Sequence, residues 1–98
     1  MDSIAASASG GSVTLGTASS SLVVAANENR VGLTLKNVGS NVALIKFGDG
    51  TITSTNAHIQ LASNEEYTLD SGVLWRGSVY GLSLVGATDL RYVEFCDI

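Results

Sequence analysis

The sequence predicts an all-β fold: an antiparallel β-sandwich or jelly roll of about eight short strands, preceded by an extended N-terminal arm. Three observations carry this expectation. Apolar residues recur with a period of two along most of the chain. Turn residues interrupt it about every eight to twelve positions, and no stretch of about a dozen residues has a helical period. β-branched residues are common and proline is absent, so no strand edge is blunted by proline.

Residues 1–21 stand apart. Ser, Ala and Gly make up about two-thirds of them, and Asp2 is the only charge. Such a composition cannot bury enough apolar surface to order itself. Residues 1–21 are therefore expected to be a flexible arm, and residues 22–98 the sandwich. Within the arm, positions 12–17 alternate around Val13 and Leu15. That pattern suits a strand added to a neighbouring subunit or to a surface beneath it.

Residues 22–26 are apolar throughout and read as a short strand, turned by Asn27, Glu28 and Asn29. Residues 30–47 then read as one β-hairpin. In its first half Val31, Leu33 and Leu35 alternate with Gly32, Thr34 and Lys36, which places the apolar three on one face. Asn37, Gly39, Ser40 and Asn41 bond their own backbone or accept positive φ, so the chain can reverse there. The second half is apolar on both faces, with Ala43, Ile45 and Phe47 on one and Val42 and Leu44 beside Lys46 on the other. A strand of that kind is central and covered twice, or it meets a partner chain. Val31, Leu33, Leu35, Ile45 and Phe47 are expected to be buried together.

Gly48-Asp49-Gly50 is a turn signal, followed by a Thr/Ser-rich loop around Ile52. Residues 58–61 and 66–69 read as short strands separated by a polar turn, the second with Tyr67 and Leu69 on one face. Asp70-Ser71-Gly72 turns again, and residues 73–76 hold the only tryptophan, Trp75. In residues 79–85, Tyr80, Leu82 and Leu84 lie opposite the small Gly81 and Ser83. After a turn at 86–89, residues 90–96 close the chain with Val93 and Phe95 opposite Tyr92 and Glu94.

Composition narrows the function classes. At 98 residues the chain is one domain. It is 45% hydrophobic and only 14% charged, where about a quarter is usual, and low charge points to surface hidden against other protein. Nine acids against five bases give a net charge of −4. The bases Arg30, Lys36, Lys46, Arg76 and Arg91 are scattered, whereas nucleic acid requires them clustered. No apolar run approaches the roughly 18 residues of a membrane span. The N-terminus lacks the basic region and apolar core of a signal peptide. One cysteine allows no intrachain disulfide, and one His with one Cys makes a poor metal centre. A small domain without such staples leans on packing or on oligomerisation, and a homo-oligomer is expected.

No residue is assigned to catalysis, to a cofactor or to a metal. His58 is the one histidine but stands in no nucleophile motif. Cys96 reads as a small buried apolar residue. Asp49 supplies a single carboxylate where calcium takes several oxygens. Glu65 and Glu66 alternate faces if extended and make no carboxylate pair. The Gly-x-Gly elements lack the following helix of a phosphate loop. Trp75 and Arg76 are types enriched at interface hot spots. Trp75 reads first as a core residue, then as part of a protein interface, and last as a platform for a sugar ring. The candidate interface set is Trp75, Arg76, Val13, Leu15, Val42 and Leu44.

The run Arg30-Val-Gly-Leu-Thr-Leu-Lys-Asn-Val-Gly-Ser is followed by Leu44-Ile-Lys-Phe-Gly, Ile59-Gln-Leu and Tyr67-Thr-Leu, then by Gly77-Ser-Val-Tyr-Gly-Leu-Ser and Val93-Glu-Phe. Together they resemble small virion proteins of tailed bacteriophages, especially head decoration (cement) proteins. The likeness covers residues 22–95 and rests on positions that support a fold. Where such proteins commonly have Pro-Gly, this chain has Ser63-Asn64 at the same turn. The resemblance implies a non-enzymatic structural protein on the outer capsid surface of a virion. It would be a homotrimer bound to the major capsid protein, stabilising the shell without cofactor, nucleic acid or membrane. The alternative is a receptor- or glycan-binding sandwich module of a tail fibre or adhesin.

Overall fold

The computed structural model describes residues 7–48, 50–69 and 74–97. The expected turns at Asp49 and at Asp70-Ser71-Gly72 fall on or across residues outside that set, as do the first six residues of the expected arm. The described residues form eight strands and no helix: β1 (Ser7–Leu15), β2 (Ser21–Val24), β3 (Arg30–Asn37), β4 (Ala43–Phe47), β5 (Ile59–Leu61), β6 (Glu66–Leu69), β7 (Val79–Ser83) and β8 (Thr88–Cys96). They build two four-stranded sheets, ordered β1-β8-β3-β6 and β2-β7-β4-β5. Every pairing is antiparallel.

The core lies between the sheets. Leu15, Leu33, Leu35, Leu69 and Leu90 enter it from the first sheet, and Val23, Val24, Ala43, Ile45, Leu61 and Val79 from the second. Each of these Leu, Ile and Val side chains stabilises the fold by about 1.5–3 kcal/mol through burial. Leu33, Leu35 and Ile45 meet there as expected, with Phe47 packed against them. Val31 is also buried, but it lies outside this cluster.

Residues 30–47 do not form a hairpin. β3 pairs with β8 and β6, whereas β4 pairs with β5 and β7 in the other sheet. The connection between them is a corner held by hydrogen bonds. Val38 and Gly39 donate their N–H groups to Asp89 O, at 2.9 and 3.2 Å, and so pin the corner to the start of β8. Leu33 and Leu35 therefore face Ile45 across the core rather than beside it within one sheet.

β4 is a central strand covered on both faces. Its outward Leu44 is buried with Leu82 and Ile52, and Val42, Ala57 and Tyr80 pack against that second cluster. The Thr/Ser-rich loop before β5 is thus a strap over the sheet. Thr53 Oγ1 accepts the N–H groups of Thr55 and Asn56. Asn56 Nδ2 returns a bond to Thr51 O.

Residues 7–15, expected within a flexible arm, form a strand of nine residues paired along its full length with β8. Its side chains gave no warning, because Ser and Gly carry little hydrophobic pattern and the pairing is made by backbone. Leu15, at the end of the strand, is fully buried. Gly81 on β7 leaves room for it: a Cβ there would sit 2.8 Å from one Leu15 methyl. The small residues Gly81 and Ser83 are accordingly the core face of β7.

The turn between β5 and β6 closes with Glu65 N–H donating to Ala62 O at 3.0 Å. Asn64 takes φ +68° there, the left-handed conformation that asparagine tolerates best after glycine.

Candidate functional site

Two buried polar groups fix the ends of the sandwich. The first is Arg30. A β-bulge where β3 meets β8 sets Arg30 opposite Cys96 and Gly32 opposite Phe95. The extra residue turns Arg30 toward the core side, alongside Glu94. Its Nε donates to Glu94 Oε2 at 2.7 Å. Nη1 donates to the carbonyls of Trp75 and Gly77, at 2.8 and 3.0 Å, and Nη2 to Ala25 O at 2.7 Å. Asn27 Nδ2 reaches the other Glu94 oxygen at 3.3 Å and the Cys96 sulfur at 3.2 Å. The guanidinium thus ties the loop before β3 and the loop before β7 to the last strand.

The second is Asn37, also fully buried. Its Nδ2 donates to Asn41 O at 2.7 Å and Leu61 O at 2.9 Å. Its Oδ1 accepts from Gly39 N–H at 3.1 Å and Thr88 Oγ1 at 2.8 Å. All four side-chain hydrogen-bond positions are filled. A Cβ on Gly39 would lie 2.7 Å from Asp89 N, closer than such atoms approach. Arg30, Asn37 and Gly39, the polar and glycine positions of the first motif, are therefore spent on holding the fold.

The Arg30 end carries an aromatic group centred on Phe47. His58 stacks on it at 6.0 Å between ring centroids and 20° between planes. Tyr67 and Trp75 approach it at 6.4 Å each, tilted and edge-on. His58 Nδ1 accepts the Phe47 backbone N–H at 3.2 Å. Trp75 is 39% exposed, yet its Nε1–H is bound to Ser78 O at 2.9 Å. Beside the group opens a cavity of about 260 Å³ lined by Leu44, Ser54, Ala57, His58, Ile59 and Gln60.

The six candidate interface residues divide. Leu15 lies in the core, and Leu44 under the strap, so both are covered by their own chain. Val13 is half-buried against the core, and Val42 against the strap cluster. Trp75 and Arg76 are exposed, with Arg76 Nε donating to Arg30 O at 2.9 Å. Sequence reasoning missed a further group at the opposite end. Val42, one position beyond the Ala43–Ser83 pair, lies at the same end as Leu84, 46% exposed, and Val85, 83% exposed. Leu22, also exposed, is not part of that group: it pairs with Tyr80, opposite Lys46 and nearer the Phe47 end. The apolar alternation of residues 79–85 was the available signal, since Leu84 runs past the end of the sheet.

Cys96 is buried. Among the described residues no three His, Cys, Asp or Glu side chains gather as a metal site, and no helix is long and apolar enough to cross a membrane. Glu65 is used locally, accepting the Ala62 N–H at 2.7 Å. Compared with family models, curated proteins and solved structures, the chain gives no significant match.

Proposed function

We propose that this chain is a non-enzymatic virion structural protein, a jelly roll that assembles as a homotrimer and decorates the outer head shell of a tailed phage. The observation that carries the reading is the edge left by β1. Its nine residues hold no charge and no proline, and β1 ends its sheet. A long uncharged edge invites another strand, and natural proteins blunt such edges unless they are used. The N-terminal segment then serves as the arm. It is docked on β8 along one edge, and along the other edge residues 8–15 pair with no strand among the described residues, which leaves room for a neighbour's.

Three further points support the reading. The strand orders 1-8-3-6 and 2-7-4-5 support the jelly-roll reading, an architecture that viral capsid proteins use. The motif residues that carry the resemblance serve structure, which suits a protein whose work is adhesion. The exposed Leu84 and Val85, with the half-buried Val42 at the same end, supply a second, apolar contact. Binding of many copies to an assembled shell, and not to its free subunits, stabilises that shell by mass action. Mass spectrometry and electron microscopy of purified particles test the proposal. Many copies on the outer head surface are expected; absence from heads, or presence in tails alone, would overturn it.

A further inference from the structure

Trp75 is held on the surface rather than left there. The Arg30 guanidinium fixes the carbonyls of Trp75 and Gly77. Arg76 Nε returns a bond to Arg30 O. Asn27 N–H donates to Arg76 O at 2.8 Å. The indole N–H is anchored to Ser78 O, and the ring lies so close to Gly77 that a Cβ there would come within 2.4 Å of it. A fully buried charge is therefore committed to orienting a loop whose exposed product is one aromatic ring. Such preorganisation lowers the cost of binding.

The chemistry left to Trp75 is narrow. Its N–H is used internally, so the indole offers a partner only its π surface. His58, the other exposed ring on Phe47, has Nδ1 occupied by the Phe47 N–H. In the neutral ring the proton then sits on Nε2, a donor for a ligand. His58 also lines the neighbouring cavity, with Ser54 and Gln60 as further polar groups and Leu44, Ala57 and Ile59 as apolar ones. An aromatic face beside hydroxyl, amide and imidazole groups fits a ligand that is apolar on one face and hydroxylated around its rim. That description is a pyranose ring.

We propose that this end of the sandwich binds a short neutral oligosaccharide. One sugar stacks on Trp75 and the next hydrogen-bonds to His58, Ser54 and Gln60. Trp75 packs on Phe47, the last residue of β4, whereas Leu84 follows Ser83, the partner of Ala43 at the start of that strand, and the cavity lies over Leu44 between them. Assembly through Leu84 and Val85 leaves the Trp75 face accessible. It does not depend on the assembly reading.

Trp75 is the only tryptophan, so intrinsic fluorescence of the full chain reports this site alone. Cellotriose, maltotriose and tri-N-acetylchitotriose are the probes, with glycerol as the polyol control. At least one trisaccharide is expected to change the emission saturably at millimolar concentration, with glycerol inert. By calorimetry, Trp75→Ala and Gln60→Ala should each weaken that binding by about tenfold. The far-UV circular dichroism of Gln60→Ala should match that of the parent. No saturable response to any of the three sugars would overturn the proposal, as would binding that both substitutions leave unchanged.

Discussion

Arg30 and Glu94, 64 positions apart in the chain, are joined by a 2.7 Å bond between Nε and Oε2 where the bulge of β3 meets the last strand. A guanidinium with no exposed surface is stable only if its charge is paired and its donors are occupied. Four of its bonds reach Glu94, Trp75, Gly77 and Ala25. The pair thus decides how two loops sit on the end of the sandwich.

Breaking this pair from one side should be severe. Arg30→Met leaves Glu94 buried and short of its partner, and should cost about 3–5 kcal/mol. Arg30→Met with Glu94→Leu should recover much of that loss, because no buried charge remains. Urea unfolding of the three proteins checks this. Equal loss in the single and double variants would show that the bonds to the loop carbonyls dominate over the charge.

Asn37 should tolerate no isostere. Asn37→Asp keeps the shape but replaces the donor to Asn41 O and Leu61 O with an acceptor. Stranded buried groups cost about 1–3 kcal/mol each, so a loss of about 3 kcal/mol or more is expected in thermal or urea unfolding. A change below about 0.5 kcal/mol would mean that the corner between the sheets is held by its backbone bonds alone.

Register is tested by two substitutions on adjoining strands. Leu35 is fully buried, and its β8 partner Tyr92 shares its face; Val93 on the opposite face is 39% exposed. Leu35→Ala should cost about 2–5 kcal/mol, and Val93→Ala about 0.5 kcal/mol or less. The reverse order would indicate a slip of one residue between β3 and β8.

Most strands were legible because their apolar residues alternate or run together between turn residues. Three features were not. The destination of β4 was hidden because the five-residue connection Val38-Gly-Ser-Asn-Val42 suits a hairpin and a corner alike. What separates them is Asn37 reaching Leu61, a contact 24 positions away. Arg30 read as one of five scattered bases, since a bulge that reverses a side chain leaves no mark on the alternation. β1 was silent because glycine and serine pair through backbone. Of the candidate site, Trp75 and Arg76 were visible by residue type. Their exposure, and the anchoring behind them, were not.

The N-terminal segment divides at Ser12. Removing residues 1–12 takes away only exposed positions among those described, so the sandwich should stay folded and its self-association should weaken. Removing residues 1–17 also takes Val13 and the fully buried Leu15. That should cost at least the about 2–5 kcal/mol of Leu15→Ala. Circular dichroism and sedimentation compare the two. Equal stability would place Leu15 outside the core, and undiminished association of the shorter truncation would remove the edge of β1 from the interface.

Self-association is the central claim, and light scattering of the full chain across the micromolar range measures it directly. The account predicts a single species of three times the 10.1 kDa chain mass. A folded species of 10.1 kDa throughout that range would contradict it.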